Sequence, residues 1–447
     1  MAATAETHHH LFCHADQVWR EIRESPYALA LQFAAILGSV GLIARLFLLK
    51  ISGNLPIGPL SGVGDQDRYQ TLADNLFEGR GFTYAGQPTA FRPPLYPMFL
   101  AAMRFLFGSH RFLAARCFQL LAAIAMAYLC LLLARRLFGI EAGVLACSFA
   151  LAMPTLAFGV TELQSEALAA CVTVLFLCSL VAALDGARLA LPCMGFASGV
   201  AAILRFNSVL LLAIGIAVCL RYLKNLKSVL VVLLAAALFI APWIVHNAQA
   251  FHGRVLFSSV GGASLLLGVL SPEGRAQKDE PDRVRAAVGW SHMDIEMNST
   301  TRLHYPSEDV LDRQARAAAI QAWGKMDSGS IVRLLAGKLV CFLFSTDQLL
   351  DTASFSPKQR LLRRVGVVCY WFVFVLAALG WSRLLNMERT AALSLGFYVL
   401  FVTIAHLPVV MNTRLRIPFF DPLFAVLAGG GLFFLVAKCK GQRLRPA

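Results

Sequence analysis

A carboxylate able to accept a proton, and arginines able to hold a phosphate, are the chemistry this chain's residue types offer most plainly. Both occur between Gly64 and Pro97, in GDQDRYQTLADNLFEGRGFTYAGQPTAFRPPLYP. Asp65 is the candidate general base, because a carboxylate at a water-facing boundary can take a proton from an attacking hydroxyl or amine. The same residue type suits a helix N-cap, and the two roles are compatible. Asp67 is a second candidate and reads more simply as a solvated helix residue. Arg92 precedes Pro93 and Pro94, a stiff extended turn that presents its side chain outward. A guanidinium there suits bidentate phosphate binding, and equally a lipid headgroup.

Four other groups stand where charge is costly. Thr161-Glu162 and Ser165-Glu166 lie at the mouth of an apolar segment, with pairing to a structural partner such as Arg116 or Arg205 as the alternative to a functional role. Arg205-Phe206-Asn207 interrupts two short apolar runs and also reads as the tip of a hairpin. His246-Asn247 closes the segment APWIVHN. Arg414 and Arg416 in MNTRLRIPFF suit an anionic lipid phosphate or simple anchoring at the interface.

The elements that must position these groups are membrane helices. The chain has 447 residues, 58% hydrophobic and 15% charged, with mean hydropathy +0.65. A soluble chain would carry about a quarter charged residues. The sequence is therefore an all-α polytopic membrane protein. The net charge of +14 is spread between apolar runs, which excludes a nucleic-acid stripe and favours contact with anionic lipid. Of eleven cysteines, most fall inside apolar runs and none forms a CxxC pair, so they read as small hydrophobes.

Ten spans are expected, at 28–49, 112–134, 141–158, 164–184, 189–204, 207–221, 228–246, 365–381, 391–408 and 418–437. The segments 95–107 and 331–344 are too short and charged, and read as interfacial. The periodicity of Tyr69, Leu72, Ala73, Leu76 and Phe77 predicts a helix over 65–78, capped by Asp65, stopped by Gly79 and lying apolar side down on the membrane. The chain divides into a cytoplasmic tail (1–27), a first membrane module (28–246) with an external loop (51–111), a second external region (247–364) with a helix near 308–326, the C-terminal spans (365–437) and a basic tail (438–447). Arg20 and Arg23 put the N-terminus inside and the 64–97 loop outside.

Five patches, taken in order, resemble the GT-C glycosyltransferases of the protein O-mannosyltransferase and lipid A aminoarabinose transferase type. They are GDQDRYQTLADNLFEGRGF, FRPPLYPMFLAAMRFLFG, TELQSEALA, APWIVHNAQAFHGRVLFSS with Gly261-Gly262, and TRLRIPFFDPLFAVLAGGG. The resemblance implies a GT-C-like helical bundle that moves a sugar from a polyprenyl-phosphate donor to a lipid, glycan or protein acceptor, with inversion. It implies Asp65 as catalytic base, Arg92 on the donor phosphate, and Arg414 and Arg416 near the lipid phosphate; Asp67, Tyr69, Glu166, Arg205, His246 and Asn247 are the further candidates for a supporting role. One departure is His246, where related sequences often carry arginine; a histidine is mostly uncharged at neutral pH.

No cofactor is required by this chemistry. Some relatives use a divalent metal, and His252, His292, Asp294, Glu296 and His304 supply donors at spacings that are not diagnostic. A bacterial inner membrane is the expected location. A lipid-linked sugar flippase and an O-antigen ligase or polymerase are the alternatives; no inverted repeat favours the first.

Overall fold

The structure is a computed structural model that describes residues 28–58, 68–271, 308–344, 357–409 and 413–440. It is almost entirely helical. In hydrocarbon a backbone N–H or C=O finds no water, so each apolar run satisfies its own hydrogen bonds by coiling. The helices are α1 (Ala28–Ser52), α2 (Tyr69–Phe77), α3 (Leu95–Phe107), α4 (Arg111–Phe138), α5 (Ile140–Ala152), α6 (Pro154–Thr161), α7 (Glu166–Leu184), α8 (Ala190–Leu204), α9 (Val209–Val218), α10 (Leu226–Ala250), α11 (Gly261–Leu270), α12 (Glu308–Lys325), α13 (Ser328–Phe344), α14 (Pro357–Met387), α15 (Arg389–His406) and α16 (Thr413–Cys439). A two-residue hairpin pairs Thr83–Tyr84 with Gln87–Pro88.

Among the described residues, eight helices are long and apolar enough to cross a membrane, nine if α5 and α6 form one span; α8, at 15 residues, is a shorter apolar helix. The chain is an integral, multi-pass membrane protein. The span expected at 141–158 is broken by 63° between α5 and α6. Pro154 removes a donor and pushes Met153 into extended backbone (φ −60°, ψ 121°), so α5 ends there. Its stranded carbonyls are met from α1: the fully buried Arg45 donates to Ala150 O at 3.0 Å and also to Leu151 O.

The last helix is the axis of the bundle. Its apolar window is 78% buried, against 61% for α7 and 22% for α1 and α10. The latter two turn Phe33, Ile36, Val40, Leu234 and Leu238 outward, as lipid-facing helices do. Small residues bring the central helices together. Gly429 lies on Ala142 and Ala146 of α5, Gly430 on Phe138, and Gly431 against Leu376 and Gly380 of α14, so each of three successive glycines serves a different neighbour.

Polar contacts define two ends. At one, Arg136 ties the end of α4 to Asp185 beyond α7 (2.7 Å) and to Glu388 before α15 (2.5 Å). At the other, the loops 53–58, 68–97, 159–166, 205–208, 251–260 and 407–409 converge with the starts of α12 and α16. α13 belongs to this end. Asp327 caps it by accepting from Ser330 N (3.0 Å) and Ser330 Oγ (2.6 Å), bonds that hold its carboxyl below the usual range. Further along, the buried Lys338 donates to Leu407 O (2.8 Å) and Val409 O (3.1 Å).

Two expectations are corrected. The helix predicted from Asp65 begins at Tyr69, and the residue before it is Arg68 in the left-handed region (φ 59°), with no side-chain cap; Asp65 and Asp67 lie outside the described residues. Most of its stripe also packs on protein, Tyr69 and Ala73 against Tyr96, Leu100 and Met103, and Leu72 against Phe82 and Trp243, while Phe77 stays exposed. Periodicity identifies an apolar face but not what covers it.

The close helix crossings can be tested directly. A Cβ on Gly380 would run into Leu427 O, whereas one on Gly324 meets nothing. Gly380→Ala should lower stability in detergent by about 1–3 kcal/mol through overpacking. Gly324→Ala should leave the unfolding midpoint unchanged or slightly raised.

Candidate active site

At the loop end, α2 and the segment before α3 are locked together by aromatic rings. Tyr69 meets Tyr96 edge to face at 4.9 Å. The Arg92 guanidinium lies 4.4 Å from the Phe91 ring centre and 5.8 Å from that of Tyr69. Pro93 and Pro94 are buried, so the turn that carries Arg92 is stiff and packed. The fully buried Tyr96 hydroxyl donates to Gln119 Oε1 at 2.8 Å. Gln119 Nε2 in turn donates to Gly159 O (2.6 Å) and Glu162 O (2.7 Å).

Beside it, the buried Arg116 donates to Thr161 O at 2.7 Å, Gly53 O at 3.0 Å and Leu55 O at 2.7 Å. One guanidinium thus joins the end of α1, the start of α4 and the turn before α7. Gly58 lies against the Glu162 carboxylate, which a Cβ at this position would displace. Gly58 and Arg68 flank the stretch that contains Asp65, and the Arg68 guanidinium sits 4.2 Å from the Tyr84 ring centre.

The second part of the site is an ionic cluster. Glu166 Oε1, at the start of α7, accepts from Arg414 Nε at 2.8 Å and faces Arg205 Nη1 at 3.1 Å. Arg205 also reaches Ser165 Oγ and Arg414 O, each at 3.4 Å. The Glu166 and Arg205 side chains are 7% and 10% exposed, whereas Arg414 is 27% exposed. The cluster thus shows one arginine to the outside and hides the other two charges. Asn207 continues it through a 3.0 Å contact with His406 Nε2. The opposite ring nitrogen is 2.7 Å from Val402 O, which assigns the proton to Nδ1 and makes Nε2 the acceptor.

Arg414 and Arg416 read in sequence as a pair, but the structure parts them. Residues two apart on a helix are about 200° apart around its axis, so only one can face the loops. Arg416 is fully buried, 3.1 Å from Asp421, 3.3 Å from Phe342 O and Leu343 O, and 4.3 Å from the Tyr370 ring centre. Its charge is answered inside the bundle by Asp421 and the two carbonyls.

His246 and Asn247 also separate. His246 is exposed and stacks on Trp243 at 5.4 Å. Asn247 is buried and donates to Leu256 O (3.2 Å) and Phe257 O (3.3 Å), fastening the chain that leaves α10. Sequence reading passed over Gln119 and His406, although each is a polar residue within an apolar run, the signal by which they are found. Among the described residues, no group of three or more His, Cys, Asp or Glu side chains could hold a metal. Of the donors named above, His252 is described, at φ 52°; His292, Asp294, Glu296 and His304 lie outside the described residues.

The helical bundle and part of the sequence are similar to known proteins. Residues 91–246 match the family model described as dolichyl-phosphate-mannose-protein mannosyltransferase. In fold, the chain is similar to the Archaeoglobus fulgidus oligosaccharyltransferase crystallised with zinc and sulfate, with a TM-score of 0.53 at 14% identity, covering 92% of this chain and 50% of that one. It therefore spans half the length of that protein. It is also similar to ArnT from Cupriavidus metallidurans bound to undecaprenyl phosphate, with a TM-score of 0.39 at 14% identity, covering 90% of this chain and 79% of that one. No curated protein sequence matches it. The family match covers residues 91–246 of the 447, and the likeness to the solved oligosaccharyltransferase is one of fold.

The ionic cluster makes an asymmetric stability prediction. Glu166→Ala strands the buried Arg205 charge and should cost about 3 kcal/mol. Arg414→Ala leaves Glu166 paired with Arg205 and should cost roughly 1 kcal/mol or less. Unfolding midpoints of the purified variants in one detergent provide the comparison.

Proposed function

We propose that this chain is an inverting glycosyltransferase that moves a sugar from a polyprenyl phosphate to an acceptor on the external, periplasmic face of a bacterial inner membrane. The observation that carries this reading is the gathering of arginines at the loop end. Arg205 and Arg414 share the Glu166 carboxylate, and Arg92 stands on the stiff turn before α3, over the Phe91 and Tyr69 rings. Such a surface favours a lipid-linked phosphate. The family model that matches 91–246 is described by a dolichyl-phosphate sugar, which supports the same donor class.

A phosphate monoester or diester leaves without a protonated acid, so one general base and cationic clamps suffice. Asp65 is the proposed base; it takes the proton from the acceptor hydroxyl or amine as that group attacks the sugar C1. Arg92 and the partly exposed Arg414 hold the donor phosphate and meet the charge that develops on it. Glu166 orients Arg414, and Arg205 balances Glu166 from below.

The test is release of polyprenyl phosphate from a panel of undecaprenyl-phosphate sugars by the purified protein in detergent. Turnover of none of them, or passage of the lipid across vesicles without hydrolytic or transfer products, would overturn the reading in favour of a flippase. Asp65→Asn should retain folding and lose activity by roughly 10² to 10⁴-fold, while Asp67→Asn stays mild. Arg92→Ala should weaken donor use more than Arg92→Lys, since lysine keeps the charge but not the fork.

A further inference from the structure

The turn that carries Arg92 is held from the far side of the chain. Glu308, the first residue of α12, presents its carboxylate to that turn. Its Oε1 accepts from Thr89 Oγ1 at 2.6 Å, and its Oε2 accepts from Ala90 N at 2.9 Å and from Ser259 Oγ at 2.7 Å. Ser259 N donates to Ala90 O at 3.2 Å, and Phe91 N donates to Thr89 Oγ1 at 3.2 Å. Thr89, Ala90 and Ser259 are all buried, so these bonds are shielded from water. Charge-assisted bonds of this length are about twice as strong as neutral ones.

The local geometry makes this contact matter to Arg92. Downstream of it, Pro93 and Pro94 leave the backbone almost no freedom. Upstream, the direction of the Arg92 side chain depends on residues 89–91, and Glu308 bonds to two of those three. Each group that meets the carboxylate is a donor, and a carboxylate only accepts. An amide in its place would turn an N–H toward at least one of them.

We propose that Glu308 is the positioning residue for Arg92: through Thr89 and Ala90 it sets the guanidinium where it can meet the phosphate of a polyprenyl-phosphate ligand. The inference rests on the donor-phosphate reading of Arg92. It is tested by binding rather than turnover, with undecaprenyl phosphate as the probe and the full-length protein in detergent. Glu308→Gln should weaken Kd about tenfold in the wild-type background and produce no further loss in Arg92→Ala, because the two act through one contact. Thr89→Val should behave like Glu308→Gln, while Thr89→Ser, which keeps the hydroxyl, should bind as wild type. The next carboxylate on α12, Asp312, bonds Gly262 N and Arg316 instead; Asp312→Asn should leave Kd within about twofold, which controls for loosening the helix.

Equal losses from Glu308→Gln with and without Arg92 would make Glu308 a general support and overturn the proposal. So would wild-type affinity in Glu308→Gln. Should that variant fail to fold, the contrast between Thr89→Val and Thr89→Ser decides the matter from the other end of the bond, equal affinities overturning the proposal. If Arg92→Ala itself binds as wild type, the reading of Arg92 falls, and this inference with it.

Discussion

A charge buried in this bundle has no water to turn to, and that constraint organises much of what is seen. Arg45, Arg116, Lys338 and Arg416 are all fully buried, and each is answered by main-chain carbonyls, joined in Arg416 by Asp421. Carbonyls are stranded where helices end or break, so buried cations and broken helices occur together. Arg45 meets the carbonyls left open at Pro154, and Arg116 meets those at the end of α1 and the end of α6. These side chains are joints of the fold, and a reading that takes every intramembrane cation as functional would misplace them.

The same constraint separates the site from the scaffold. Glu166 and Arg205 are nearly as buried as the joints, but they lie at the loop end and share their partner with Arg414, which reaches the surface. Arg92 sits on an aromatic platform of Phe91 and Tyr69, held on one side by two prolines and on the other by Glu308. Rigidity at both positions reduces the cost of ordering them when a ligand arrives.

Much of the helix framework was legible in the residues. Long apolar runs bounded by arginines gave the spans, because spanning length and hydropathy are local properties. The prolines at 93 and 94 marked a stiff turn for equally local reasons, whereas Pro154 lay inside a run read as one span and breaks it in the structure. The candidate cluster was partly legible too: Arg116 or Arg205 was the structural alternative for Glu162 and Glu166, and Glu166 faces Arg205. Its other partner, Arg414, lies 248 residues away, and no pattern in the chain announces that contact.

What the sequence determined by itself is therefore the membrane class, the helix positions and the residue types available for phosphate and proton chemistry. All of these follow from composition and short-range spacing. Which charges reach the surface was decided only in three dimensions. Arg414 and Arg416 carry the same side chain in the same motif, yet helical rotation sends one to the loop end and the other into the bundle. Glu308 is an unremarkable first-turn carboxylate until the fold brings Thr89 and Ser259 to it. Contacts of this kind depend on how helices distant in sequence pack, and packing is a property of the whole chain.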